Sequence, residues 1–235
     1  MTTPLYQSVY NEIIARVADG RYPPGTMLPS EFDIAAELGV SQGTARKALS
    51  ELEAKGIVKR RQGRGTFVAL RTPENSLFHF FRMRDGAGNQ VAPTLGSETV
   101  SRRAATPAER HSLFGAPQEV FQIDRVRNFN DKPLCLETCV VSTDLFPGLL
   151  ERAPLPNTLY VLFQQAYSCI VISAKDDLSA GLADKATAKA LGLRTGTPVL
   201  IGKREGKDLL GRVVELRTSR FVTDDVTYSV SLDSL

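Results

Sequence analysis

The chain has 235 residues, 42% of them hydrophobic and 23% charged, with a formal net charge of +3. Such a balance suits one or two globular domains with a sizeable core, and fits a local basic module better than a polycationic coat for nucleic acid. The three cysteines show no CxxC spacing, no apolar run nears the ~20 residues of a spanning helix, and the start lacks a signal-peptide pattern. No disulfide framework, zinc site, cofactor or membrane contact is therefore expected, and the cytoplasm is the default compartment.

In chain order, Thr3-Pro4 is expected to open a first helix, with Thr3 as cap and Pro4 at its first position. Leu5, Val9, Ile13 and Val17 form an apolar stripe at fourfold spacing. Gly20 closes the helix, and Tyr22-Pro23-Pro24-Gly25 makes a rigid turn. Ser30 caps a second helix with Asp33 as its capping-box partner, and Gly39 stops it. Ser41 caps a third, on which Ala45, Ala48, Leu49 and Leu52 fall on one face. After Gly56, Ile57 to Arg61 reads as a strand, Gln62-Gly63-Arg64-Gly65 as a turn and Thr66-Phe67-Val68 as the return strand. Together these predict a helix-turn-helix followed by a β-wing.

The faces left over carry the chemistry. The third helix turns Gln42, Gly43, Thr44, Arg46, Lys47 and Ser50 outward near its N-terminus, where a major-groove helix makes its base contacts. From Lys55 to Arg64 the chain carries five positive charges and no negative one, a cluster suited to releasing counterions from a phosphate backbone. The bland alternative is a solvated basic surface on a helical hairpin. Helix, helix and basic glycine-rich hairpin in this order favour double-stranded DNA, with Ser30, Gln42, Thr44, Arg46, Lys47, Arg61, Gln62, Gly63 and Arg64 as candidate contacts. One winged domain makes few base contacts, so a homodimer on a near-palindromic operator is expected.

Leu5-Tyr6, Pro24-Gly25, Leu28-Pro29-Ser30-Glu31, Val40-Ser41, Thr44-Ala45-Arg46, Ala48-Leu49, Leu52-Glu53, Gly56 and Gln62 to Val68 resemble the amino-terminal domain of the GntR family of bacterial regulators. The resemblance covers roughly the first 70 residues. It departs at the reading surface: Phe32 stands where the family usually has arginine after Ser-Glu, and Gln42 where it usually has arginine after Val-Ser. Glutamine favours adenine where arginine favours guanine, so a different operator is expected.

Ala69 to Ser76 is short, polar and proline-containing, and is read as a linker. The expected division is residues 1–69 as the DNA-binding domain, 70–77 as the linker and 78–235 as a second domain. There, Thr106-Pro107-Ala108-Glu109 starts a short helix ending at Gly115. Asn157 to Tyr167 is a second helix, with Leu159, Leu162, Phe163 and Ala166 buried, and Asp184 to Leu191 a third. Strands are expected at Thr94–Arg102, Val120–Phe129, Leu134–Ser142, Val199–Glu205, Val213–Val222 and Thr227–Ser231, with a hairpin at Phe129 to Pro133. Short connections and few crossovers argue for an antiparallel α+β sheet.

One strand is unusually informative. Phe121, Ile123, Arg125, Arg127 and Phe129 share a face, so two arginines lie on its apolar side and need an anionic partner, protein or ligand. Pairing Phe129 with Pro133 puts Glu137 opposite Arg125, and Glu215 with Arg217 repeats the theme. An internal ion-pair network is the structural reading; a sensor for a small anionic metabolite is the functional one. Arg125-Val126-Arg127, Pro133, Glu137, Phe146-Pro147-Gly148, Leu191-Gly192, Pro198 and Glu215 resemble the effector-binding UTRA domain of the HutC branch of the GntR family. That resemblance implies a fold similar to chorismate lyase and an effector pocket lined by Arg125, Arg127, Glu137, Asn157, Thr158 and Glu215. It also implies a repressor released by its effector. The segment Phe78 to Arg84 departs from the commoner sugar-phosphate sensors, so effector identity does not transfer. The class-distinct alternative is a lyase-like enzyme on a small anionic substrate. Against it, His79 and His111 lack partners at a catalytic spacing and no acid–base pair stands out.

Overall fold

The computed structural model describes residues 4–72 and 80–231. Helix α1 spans Leu5–Ala18 and buries Val9, Ile13, Ile14 and Val17. Pro4 holds the N-cap position without a side-chain cap bond, so the helix starts one residue later than expected, and Thr3 lies outside the described residues. Leu5 is 64% exposed, because the first turn of the helix runs out beyond the core that its stripe otherwise faces.

Helix α2 spans Glu31–Leu38, and both halves of its capping box form between Ser30 and Asp33. Helix α3 spans Gln42–Ala54, with Ser41 Oγ accepting from the Thr44 N–H. Each such cap contributes about 1 kcal/mol. Ala45, Ala48, Leu49 and Leu52 pack against the buried faces of α1 and α2 and against Leu28, Ile57, Val58 and Val68. Strands β1 (Val58–Arg61) and β2 (Gly65–Val68) pair antiparallel, with Arg61 opposite Gly65. Gly63 and Gly65 take positive φ at the tip, a conformation that glycine adopts without a Cβ penalty. The winged helix-turn-helix is as expected.

The second half runs β3 (Met83–Asp85), β4 (Thr94–Ala104), α4 (Pro107–Ser112), β5 (Glu119–Phe129), β6 (Lys132–Ser142), a 3-10 turn at Leu150–Arg152, α5 (Leu159–Tyr167), β7 (Val171–Leu182), α6 (Lys185–Leu191), β8 (Pro198–Asp208), β9 (Val213–Phe221) and β10 (Val226–Tyr228). Six strands form an antiparallel sheet in the order β4-β5-β6-β9-β8-β7, and β3 pairs with β10 apart from it. The α+β expectation holds. Strands β3 and β7 were not anticipated. β7 is an edge strand, VISAKDDLSAGL, whose Lys-Asp-Asp centre, serines and glycine hide the alternation of a buried strand. Helix α4 ends at Ser112, not Gly115.

Helix α5 buries Leu159, Tyr160, Val161, Phe163 and Gln164, while Leu162 and Ala166 are only half-buried. Its buried arc is displaced because the chain that leaves the winged domain covers one flank: Gln164 Nε2 donates to Ala69 O at 3.1 Å, and Arg71 N donates to Gln164 Oε1 at 2.8 Å. Ile170 and Leu209, from the far end of the sheet, complete the core of α1–α3. The winged domain is thus packed on the second half, not merely tethered to it.

The β5–β6 turn places Asn130 and Asp131 at positive φ. Phe129 pairs with Lys132 rather than Pro133, but a register shift between Arg127 and Asn128 leaves Arg125 opposite Glu137 as expected. Phe121, Ile123, Arg125 and Arg127 are all buried on the face that carries α5.

Candidate functional site

Two surfaces gather the candidate residues. On the winged domain, Gln42, Gly43, Arg46 and Lys47 are exposed on α3, as are Arg61, Gln62, Gly63 and Arg64 on the wing. Thr44 Oγ1 lies 2.9 Å from Ser41 Oγ, and the Ser30 hydroxyl donates to Asp33 Oδ2 at 2.6 Å, so Ser30 serves α2 as its cap. Lys47 Nζ sits 4.1 Å from the centre of the Tyr6 ring, and the Arg61 guanidinium 4.7 Å from that of Phe67. These aromatic faces hold both cations in place without neutralising them.

The sequence reading missed Glu31. Its carboxylate accepts from Arg46 Nε at 2.8 Å and from Arg60 Nη2 at 3.3 Å, joining α2, α3 and β1. Arg60 also reaches Ser50 Oγ at 3.2 Å and Glu53 at 3.2 Å. No spacing in the sequence announces contacts between residues 15 and 29 positions apart.

The second surface is a cleft between the sheet and α5 that holds, with its open mouth, about 430 Å³ of empty space. The room enclosed within it is far smaller, about 50 Å³, below the ordinary range for small-molecule sites. Arg125, Arg127, Glu137, Asn157 and Thr158 line it as expected. Arg204, Arg217, Phe80, Phe81 and Tyr160 line it too, although the sequence reading gave them no place there. Glu215 does not line it. That carboxylate is fully buried behind Arg217, accepting from Arg217 Nε at 2.9 Å, from Cys139 Sγ at 3.0 Å and from the Tyr160 hydroxyl. His111 is exposed and remote from the cleft, and His79 lies outside the described residues.

Ion pairs in the cleft differ from the expected set. Arg125 faces Glu137 in register but bonds Glu98, its other cross-strand neighbour on β4, with Nε at 2.7 Å from Oε2. Arg125 Nη2 donates to Pro156 O at 3.0 Å. Arg127 bonds Asn157 twice, Nη2 to Oδ1 at 2.8 Å and Nη1 to O at 3.1 Å, and meets Glu137 only at 3.4 Å. Arg217 Nη1 reaches the other oxygen of Glu137 at 3.3 Å. Arg204 clasps Asp176 with Nε at 2.7 Å and Nη2 at 2.6 Å. Burial pushes the Glu137 carboxyl up, but Arg217 and Arg127 outweigh it and hold the group below its ordinary range. Burial and then Glu215 raise the Tyr160 phenol, which stays a donor.

The layout of charge follows. Four arginines and one carboxylate line the cleft, while Glu98 and Glu215 sit behind the guanidinium groups. Arg127 Nε is buried without a hydrogen-bond partner, a donor that a site of this kind does not leave idle at no cost.

Comparison with known proteins follows the same division. The family described as bacterial regulatory proteins, gntR family, matches residues 5–68, and the UTRA domain matches residues 91–227. The chain belongs to the GntR family. Its UTRA domain places it in the HutC branch. It is similar to the HTH-type transcriptional repressor NagR of Bacillus subtilis, with 28% identity over 99% of this chain and 96% of the relative. It is 30% identical to the histidine utilization repressor of Pseudomonas aeruginosa over 86% of this chain and 80% of the relative. The crystal structure of PhnF from Mycobacterium smegmatis aligns with 25% identity and a TM-score of 0.56, covering 97% of this chain and 100% of that one. This GntR-family chain is therefore a DNA-binding transcription regulator with an effector-binding domain, not an enzyme. None of its described helices is long and apolar enough to cross a membrane.

Proposed function

We propose that this regulator is a homodimeric repressor of a near-palindromic operator, released when a small anionic metabolite occupies the cleft. Residues 1–69 would read DNA, 70–77 link and 78–235 sense. The observation that carries the ligand class is the layering of charge: guanidinium groups face the cleft, and most of their carboxylates stand behind them. A carboxylate or phosphate would meet there the guanidinium N–H groups that these pairs leave over, a set of donors that lysine does not reproduce. The relatives named as repressors support repression as the mode of regulation. On the DNA side, Gln42, Thr44, Arg46 and Lys47 would enter the groove while Arg61 to Arg64 follow the phosphates. Ser30 would contribute through the cap that orients α2.

Control requires the effector to favour one arrangement of the reading heads, about 1.4 kcal/mol for each tenfold change in operator affinity. Helix α5 supplies a route, since Asn157 and Thr158 at its start touch the cleft and Gln164 near its end holds the linker. Titration calorimetry with a panel of metabolite carboxylates and phosphates, followed by gel shifts with any that bind, tests the reading. Arg127→Lys and Arg204→Lys keep the charge and remove the fork, so DNA binding should persist while ligand affinity falls at least tenfold. The rival reading, arginines that serve only the fold, is favoured by the carboxylate each already meets. It prevails if no anion binds, or if both lysine variants respond like the parent.

A further inference from the structure

The cleft continues past its arginines into a second hollow. Phe80, Phe81, Glu137, Arg204 and Arg217 line both spaces, while Met83, Leu178, Gly202 and Phe221 are among those lining only the second. The room enclosed there is about 30 Å³, space for about two waters or for a slim chain. The two spaces differ in what they leave unspent. In the cleft, Arg127 Nε is buried without a partner, and Thr158 caps α5 with no side-chain bond. Around the second hollow the ions are occupied with one another. Arg204 clasps Asp176, which also accepts from the Tyr228 hydroxyl at 2.9 Å, and Arg217 is held between Glu215 and Glu137. Arg82 is exposed, and Ser219 adds one hydroxyl. What remains for a visitor to meet is chiefly the apolar surface of Phe81, Met83, Leu178 and Phe221.

Gly202 argues that this hollow is not a leftover of packing. Gly96, Gly181, Gly202 and Gly206 all lie within strands of the six-stranded sheet. At the other three, a Cβ would stand 3.0 Å or less from a neighbour. At Gly202 it would lie 3.4 Å from Leu178 Cδ2 and 3.7 Å from Phe221 Cε2, in ordinary contact with the walls of the hollow. Its φ is not positive either. The fold would thus accept a methyl group that the chain leaves out, and a glycine inside a strand often marks the close approach of a ligand. We propose that the hollow is a tail subsite: the effector is an amphiphilic anion, whose head meets the arginines and whose slim alkyl or aryl tail runs past Arg217 onto Phe81, Leu178 and Phe221. A sugar phosphate suits the space less well, because its hydroxyls would be buried against apolar walls without partners. This rests on the cleft being the effector site, and it names the class of effector.

The test is calorimetry on the full chain with two homologous series, propionate to hexanoate and ethyl to pentyl phosphate, beside inorganic phosphate and glucose 6-phosphate. In at least one series the parent should gain about fourfold in affinity for each methylene buried, and its longest members should outbind glucose 6-phosphate. Gly202→Ala, whose methyl would occupy the hollow, should bind the shortest member of that series like the parent and lose at least one fourfold step further along. Its thermal midpoint should not fall, since the added Cβ meets no close neighbour. Leu178→Ser, at a side chain already 43% exposed, should flatten the series in the same way. Affinities that do not rise with chain length, or that rise equally in the parent and both variants, overturn the tail subsite. So does binding of glucose 6-phosphate alone, which leaves the anion-sensing cleft in place. If no anion of any kind binds, the reading of the cleft itself fails, and the subsite with it.

Discussion

The winged face and the cleft both pair arginine with carboxylate, under opposite solvation. The side chains of Arg46 and Glu31 are 62% and 23% exposed, those of Arg125 and Glu98 only 1% and 8%. Exposed pairs contribute about 0–1 kcal/mol, so Arg46 can exchange Glu31 for a base edge at little cost. A buried pair cannot be opened so lightly, because the deserted charge has no water to turn to. The winged face is therefore built to change partners. The cleft is built to keep them and to offer a ligand only the donors left over.

The largest expected effect breaks the buried side of this comparison. Glu137→Ala removes the carboxylate shared by Arg127 and Arg217, and should cost roughly 3–5 kcal/mol of folding stability in urea melts. A loss below about 1 kcal/mol would show that water reaches these groups and that the contrast is false. Next is Arg46→Ala, which should weaken specific DNA binding by roughly 1–3 kcal/mol while moving the folding midpoint by less than about 1 kcal/mol. If the fold suffers more than the DNA affinity, Arg46 is a strut. Arg64→Ala, at the open wing tip, should lower the salt slope of binding by about one on every sequence alike; unchanged slopes would remove the wing from the phosphates.

The smallest effect concerns a pair between the two extremes. Arg103 holds Glu109 with both nitrogens, and with the cap bond from Thr106 this keeps the Glu109 carboxyl at about 2, down from 4.5. A lowered carboxyl stabilises the fold fully above its unfolded value and loses that contribution as pH falls through the folded one. Stability attributable to this pair should therefore be intact above pH 4.5 and disappear between there and about 2. Melts of Glu109→Gln should run parallel to the parent below that window and under it above. A constant gap across all pH would assign the effect to the helix cap alone.

The winged domain was almost wholly legible in the sequence, because caps, glycine stops and the stripe of α3 are local signals, each within a few residues of the next. The sheet was legible where strands alternate, as at β5, and illegible at β7, whose edge position lets polar residues occupy both faces. Arg125 and Arg127 were found because they interrupt an apolar face. Their partners were harder: Glu98, Asp176 and Arg204 sit on strands whose neighbours are set by topology, so no interval along the chain predicts that they meet. Glu215, expected in the cleft, lies behind its lining for a related reason. Alternation says which face a side chain takes but not how deep it lies, and Arg217 stands in front of it.

The Gln164 amide, 1% exposed, spends its acceptor on Arg71 N and a donor on Ala69 O. Any movement of the linker strips that amide of both bonds together, at about 1–3 kcal/mol for each buried group left unmade. Half-displaced positions lose the bonds without reaching anything in exchange. A displacement that breaks both bonds at once would therefore meet a threshold, as a latch does and a spring does not. If an effector moves this segment as proposed above, the change would come at one glutamine as a step between two positions.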